Sequence, residues 1–176
     1  MGYDMYRLGP DGKRLPADWP TIEDDGKGTY PNELIGEYDD RDELSDSNYF
    51  RLNMWGMSTV RTIALAGAGV ITGQEAAAEI ASSELSTKDM RGMLQHIASS
   101  FQIGHKQSVK APWITPWTSN GMTASAKECQ TFADHLNAGL DKLELDPINI
   151  LEDESISYYR EFVTYLKGSQ FGMLVG

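Results

Sequence analysis

Three times along this chain a Ser or Thr stands three residues before an acidic residue at the head of a helix-forming run. The patterns are Thr72-Gly-Gln-Glu75, Ser86-Thr-Lys-Asp89 and Ser125-Ala-Lys-Glu128. At that spacing the hydroxyl and the carboxylate reciprocally satisfy amides that the first turn of a helix leaves open. Three such starts commit the fold to helices. Behind Thr72, an alanine-rich run predicts a helix through about Leu85. Behind Ser86, Met90, Met93, Leu94, Ile97 and Phe101 recur at the spacing of one apolar face, and Gly104 ends the run. Behind Ser125, Cys129, Phe132, Ala133, Leu136 and Leu140 form another stripe.

Two more helices are legible. Val60, Ile63, Ala64 and Gly67 mark one over 59–68, with Ser58 as its expected cap. Ile156, Tyr159, Phe162, Val163 and Leu166 mark the last, after an Asp146-Pro147 stop and before Gly168. Residues 1–8 read as a strand, and Pro10-Asp11-Gly12 as the turn of a small hairpin whose other arm is 13–15. In the stretch NYFRLNMWGM, residues 49–52 read as a short buried strand, with Met54, Trp55 and Met57 as core anchors. Residues 171–175 read as a terminal strand that pairs with 2–6. The expectation is an α+β, helix-dominated single domain over 1–176, with about five helices and a small sheet joining the N- and C-terminal strands.

Residues 18–46 differ in kind, holding Gly26, Gly28, Gly36, Pro20 and Pro31 with little apolar periodicity. Through Asp46 the chain carries 13 acidic and 5 basic residues, so 13 − 5 = 8 of its 11 excess negative charges lie there. The segment reads as an acidic loop or partly disordered insertion, with docking to a partner or mimicry of nucleic acid as sharper readings. A net charge of −11 disfavours nucleic-acid binding, which needs Lys and Arg to neutralise phosphates. It suits a protein partner with a basic face. A lone cysteine, Cys129, leaves no internal disulfide, and no basic-then-apolar signal or spanning run is evident. The reading is cytoplasmic.

Catalytic and metal constellations do not assemble. Gly67-Ala-Gly69-Val-Ile-Thr-Gly73 has one residue too many for a dinucleotide fingerprint. His96, His105 and His135 are scattered, and neither a zinc-ligand spacing nor an EF-hand spacing occurs. Cys129 lies on an apolar stripe, where a thiol acts as a small hydrophobe. No metal, cofactor or catalytic residue is assigned, and the balance leans away from an enzyme. The Pro- and Trp-rich loop APWITPWTSNG offers Trp113 and Trp117 as partner contacts, the alternative being that both rings lie over the core as a lid. Asp39, Asp40, Asp42 and Glu43 are the acidic contact candidates.

The segments MGYDMY, NYFRLNMWGM, SNGMTASAKECQTFADHL and YYREFVTYLKGSQFGMLV together resemble a loose group of small proteins from actinobacteria and their phages. That group shares an opening MGYD, a YFRLN-W-GM segment, an EC-containing helix and a closing G-F-x-V strand. The chain departs from it in having Met122 where the group often has Trp. The resemblance implies a bacterial or phage protein with an accessory role, such as inhibiting or neutralising another protein. Three functions follow as expectations. The first is a non-catalytic binder of another macromolecule, working through an acidic surface. The second is a small-molecule binder or enzyme with a pocket near Trp55, Trp113 and Trp117. The third is an assembly component of a phage particle.

Overall fold

The computed structural model describes residues 2–16, 48–85, 90–119, 121–144, 151 and 153–176. The chain opens with strand β1 (Gly2–Arg7), and β2 (Tyr49–Asn53) leads directly into helix α1 (Met54–Gly67). Helices α2 (Gly73–Leu85) and α3 (Met90–Lys110) follow, then a 3-10 helix (Pro112–Trp117) and β3 (Met122–Ala124). Helices α4 (Ala126–Glu144) and α5 (Asp153–Lys167) precede β4 (Met173–Val175). The fold is α+β and helix-dominated. Among the described residues four strands form one antiparallel sheet in the order β2-β1-β4-β3. The terminal strands pair as the sequence led us to expect, with Met5 opposite Val175 and Arg7 opposite Met173.

Two of the three capping boxes form as hydrogen bonds. The Thr72 amide donates to Glu75 Oε2 at 2.7 Å and the Glu75 amide to Thr72 Oγ1 at 3.1 Å. Ser125 and Glu128 repeat the exchange at 2.8 and 3.2 Å. The Ser86 pattern, the Asp146-Pro147 stop and the 18–46 segment lie outside the described residues. The expected hairpin is reduced to one bridge, Leu8 to Arg14, around a turn in which Gly12 has φ 74°.

The start of α1 differs from expectation. Asn53, not Ser58, caps it: the Gly56 amide donates to Asn53 Oδ1 at 2.6 Å. Both side chains are competent caps, and the strand runs to Asn53 with no loop, so the helix starts there. The consequence falls on the neighbouring aromatics. At roughly 100° per residue, Trp55 stands about 160° around the helix from Met57. Met57, Val60 and Ile63 are buried and Trp55 is therefore 48% exposed; Met54, the first residue of the helix, is also 48% exposed, and neither is a core anchor.

The core is a run of rings between sheet and helices. Phe50 and Phe162 lie 5.1 Å apart, Phe132 meets Phe162 edge-on at 6.0 Å, and Trp117 closes on Phe132 at 4.6 Å. Buried Tyr165 has its hydroxyl 2.9 Å from the Met5 carbonyl and 3.2 Å from that of Asn48. It fastens α5 to the sheet.

Helices α1 and α4 cross at two glycines. A Cβ on Gly67 would lie 1.8 Å from the His135 carbonyl oxygen, and one on Gly139 would lie 2.1 Å from that of Ile63. Below the crossing, Lys142 Nζ donates to the Ala66 carbonyl at 3.0 Å, placing a cation at the negative end of α1. Because a Cβ at this crossing meets backbone, Gly139→Ala should cost about 3 kcal/mol or more. That corresponds to a fall in Tm of about 6–12 °C for a chain of this size. Gly104→Ala, whose Cβ has nothing within 4 Å, should instead raise stability by about 0.5–1 kcal/mol. Calorimetry on the pair checks this, and equal Tm values would remove the crossing as a tight point.

Candidate interaction surface

The residues nominated from sequence scatter. Trp117 is 0% exposed, and its carbonyl accepts from Arg61 Nη1 at 3.1 Å. Its ring is part of the core, against Phe132, and offers no surface to a partner. Trp113 is half-buried, its ring 4.8 Å from that of His135 and 5.9 Å from Phe132. Both tryptophans pack against α4. Asp39, Asp40, Asp42 and Glu43 lie outside the described residues.

Cys129 is fully buried, and burial pushes its thiol up to about 12, with Glu128 adding to the effect. At neutral pH it is a thiol, a poor nucleophile. Among the described residues no three His, Cys, Asp or Glu side chains converge as a metal cage would require. None of the described helices is long and apolar enough to cross a membrane.

The surface that stands out is α3. It runs 21 residues, six of them past Gly104, where the sequence led us to expect its end, and fully buries none of them. Its best-packed side is polar: His96, Ser99, Ser100, Lys106 and Gln107 are half-buried there, with Ile103 the apolar exception. On that side Ser100 Oγ donates to Glu79 Oε1 of α2 at 2.6 Å, and His96 Nδ1 stands 3.7 Å from the same oxygen. Lys106 pairs with Glu75. The seam is only partly satisfied, since the buried atoms Glu79 Oε2, Ser82 Oγ and His96 Nδ1 have no hydrogen-bond partner among the described residues. Such a seam holds a helix less firmly than an apolar one.

The apolar stripe read from sequence exists, and it points away from the domain. Met90 is 74% and Phe101 75% exposed, with Met93, Leu94 and Ile97 exposed between them. An open groove of about 590 Å³ follows this face, lined by His96, Ile97, Ser100, Phe101, Gly104, His105 and Ser108. Gly104 lies on this face, where a Cβ would meet nothing within 4 Å. No Asp or Glu occurs on α3, which carries Arg91, Lys106 and Lys110. Contiguous exposed apolar side chains of this kind mark interaction surfaces. The sequence signal for the outward turn was the match of polar residues: Glu75 and Glu79 on α2 face Lys106, Ser100 and His96 on α3.

The α2–α3 tie should respond to acid. Lys106 first, then the Thr72 amide, holds the Glu75 carboxyl down to about 2, below its ordinary 4.5. The stability it contributes is therefore full above 4.5 and is lost as pH falls toward 2. Solvent screening limits the effect to about 1 kcal/mol or less. Denaturation of wild type and Glu75→Gln across this range should show a gap that closes on acidification. A constant gap would show that the ion pair contributes nothing. Compared with family models, curated proteins and solved structures, the chain matches none.

Proposed function

We propose that this chain is a non-catalytic accessory protein that binds, and thereby inhibits or neutralises, another protein, with the outward face of α3 as its contact surface. One observation carries the reading: a helix of 21 residues fully buries none of them and turns Met90, Met93, Leu94, Ile97 and Phe101 to solvent. Hydrophobic side chains at this spacing are the anchors by which an amphipathic helix meets a partner. The tryptophan-pocket alternative loses ground, because Trp117 has no exposed surface and Trp113 packs on His135 and Phe132. The contact differs from the acidic one expected from sequence. It is apolar, with cations on its flank.

The experiment compares the tagged chain with a Leu94→Asp/Phe101→Asp variant, both positions being exposed and so tolerant of charge. Each is used to capture proteins from a bacterial lysate at low and high salt, with quantitative mass spectrometry. A partner retained by the wild type at high salt and lost about tenfold or more on the variant supports the reading, about 1.4 kcal/mol of contact. Identical capture by the two proteins would overturn it. Stabilisation of both by a metabolite, about 2.7 kcal/mol at 100-fold above its Kd, would move the function to ligand binding.

A further inference from the structure

We propose that α3 is a releasable arm, which swings off α2 as one unit about the Ala111–Pro112 junction while the rest of the domain stays folded. Helices α2 and α3 run antiparallel, since Glu75 pairs with Lys106 and Glu79 accepts from Ser100. Residue numbers rise along one helix as they fall along the other, so Ser82 stands about level with His96. At that level the seam buries Glu79 Oε2, Ser82 Oγ and His96 Nδ1, none with a hydrogen-bond partner among the described residues. Native interiors pair nearly all such atoms, and three orphans in one place require a cause.

Release supplies the cause. Opening the seam returns all three atoms to water, where each regains its hydrogen bonds. The carboxyl weighs most, because acidic groups are the costliest to seal without a partner. The Glu79 side chain is only 7% exposed, and the His96 ring, at 3.7 Å, is its one basic neighbour among the described residues.

Little holds the arm closed. Packing of an apolar face is what ordinarily fixes a helix to its domain. Here α3 fully buries no residue, and Ile103 is the one apolar side chain on its packed side. Closure rests on Ser100 Oγ donating to Glu79 Oε1 at 2.6 Å and on the Lys106–Glu75 pair. The partners of that pair are 32% and 39% exposed, so solvent screens it.

The junction lets the arm turn. Ala111 is fully buried and anchors the C-terminal end of α3, with φ −135° and ψ 59° in place of helical values. Pro112 follows, without an amide hydrogen to continue the helical bonding. Turning at Ala111 therefore bends no regular helix. The release is set by the seam and not by the outward face, so it holds whether or not that face takes a partner.

Hydrogen exchange of the full chain, read by mass spectrometry, tests the arm. Amides of residues 94–110 should exchange together, about 100-fold or more faster than those of α1 and α4. Glu79→Gln tests the cause. The amide oxygen keeps the Ser100 bond, while the orphan oxygen gives way to a neutral NH₂ group that costs less to seal. Exchange in α3 should then slow about tenfold, equal to about 1.4 kcal/mol, with α1 and α4 unchanged. Ser82→Ala, which deletes an unpaired hydroxyl, should slow it as well.

Exchange of α3 at the rate of α1 and α4 would show that it opens only with the whole domain, and would overturn the arm. Faster or unchanged α3 exchange in Glu79→Gln would make Glu79 an anchor and overturn the seam as the cause of release. Should that variant fail to fold, Ser82→Ala gives the same decision by the same signs. None of these readouts depends on capture of a partner, so the arm and the proposed function stand or fall separately.

Discussion

The rest of the structure depends on backbone meeting backbone where α1 crosses α4. At that point neither helix has a side chain to spare: Gly67 lies against the His135 carbonyl and Gly139 against that of Ile63. Close approach of this kind lets the flanking residues interdigitate, and Ile63, Ala64, Phe132, Leu136 and Leu140 are all fully buried. Lys142, one turn beyond Gly139, reaches the carbonyls at the end of α1. The crossing therefore fixes the spacing, the register and the termination of a helix at once. With α1 set, β2 follows, since Asn53 is both the last residue of the strand and the cap of the helix.

The sheet then needs only to be closed. β1 sits at its centre, between β2 and β4, and the last residue of the chain bonds back to the first strand. The Asp4 amide donates to the Gly176 carbonyl at 2.8 Å, and the Gly176 amide returns the bond at 2.7 Å. Tyr165 holds this closure from the helix side, its hydroxyl beside the Met5 and Asn48 carbonyls and Arg7 over its ring at 4.6 Å. Burial, partly offset by Arg7, raises the phenol far above its usual range, so it stays a donor at any ordinary pH. The sheet pairs strands distant in sequence, so its contacts are non-local, while the helices rest on local ones.

What was legible in the sequence was local. The Thr72 and Ser125 boxes became the hydrogen bonds their spacing implies, and the stripes of α4 and α5 became core. The terminal pairing was readable because the apolar ends have strand composition. What was not legible was non-local. Gly67 read as the end of a helix, and it is one, but its larger role is the approach of α4, which no local pattern encodes. Asn53 and Ser58 were equally good caps, and that choice set whether Trp55 faced inward or outward. Trp117 was nominated as a contact because tryptophan beside proline is a good one, yet the 3-10 helix turns its ring onto Phe132.

Helix α3 carries the same lesson into function. An amphipathic period establishes that a helix has two unlike faces and leaves open which of them the domain will take. Here α2 decided it. Glu75 and Glu79 present carboxylates, and an apolar stripe laid against them would leave those groups unpaired at a cost that burial of the stripe must first repay. Presenting Ser100, His96 and Lys106 instead pairs part of the seam and leaves the apolar face exposed. The arrangement concentrates two weaknesses in one element, an incompletely satisfied inner seam and an uncovered outer face. Elements at the low end of local stability are the ones binding draws upon. Whatever covers the outer face removes apolar surface from water and so stabilises α3 in place. Occupancy of the face and order of the helix are therefore one equilibrium.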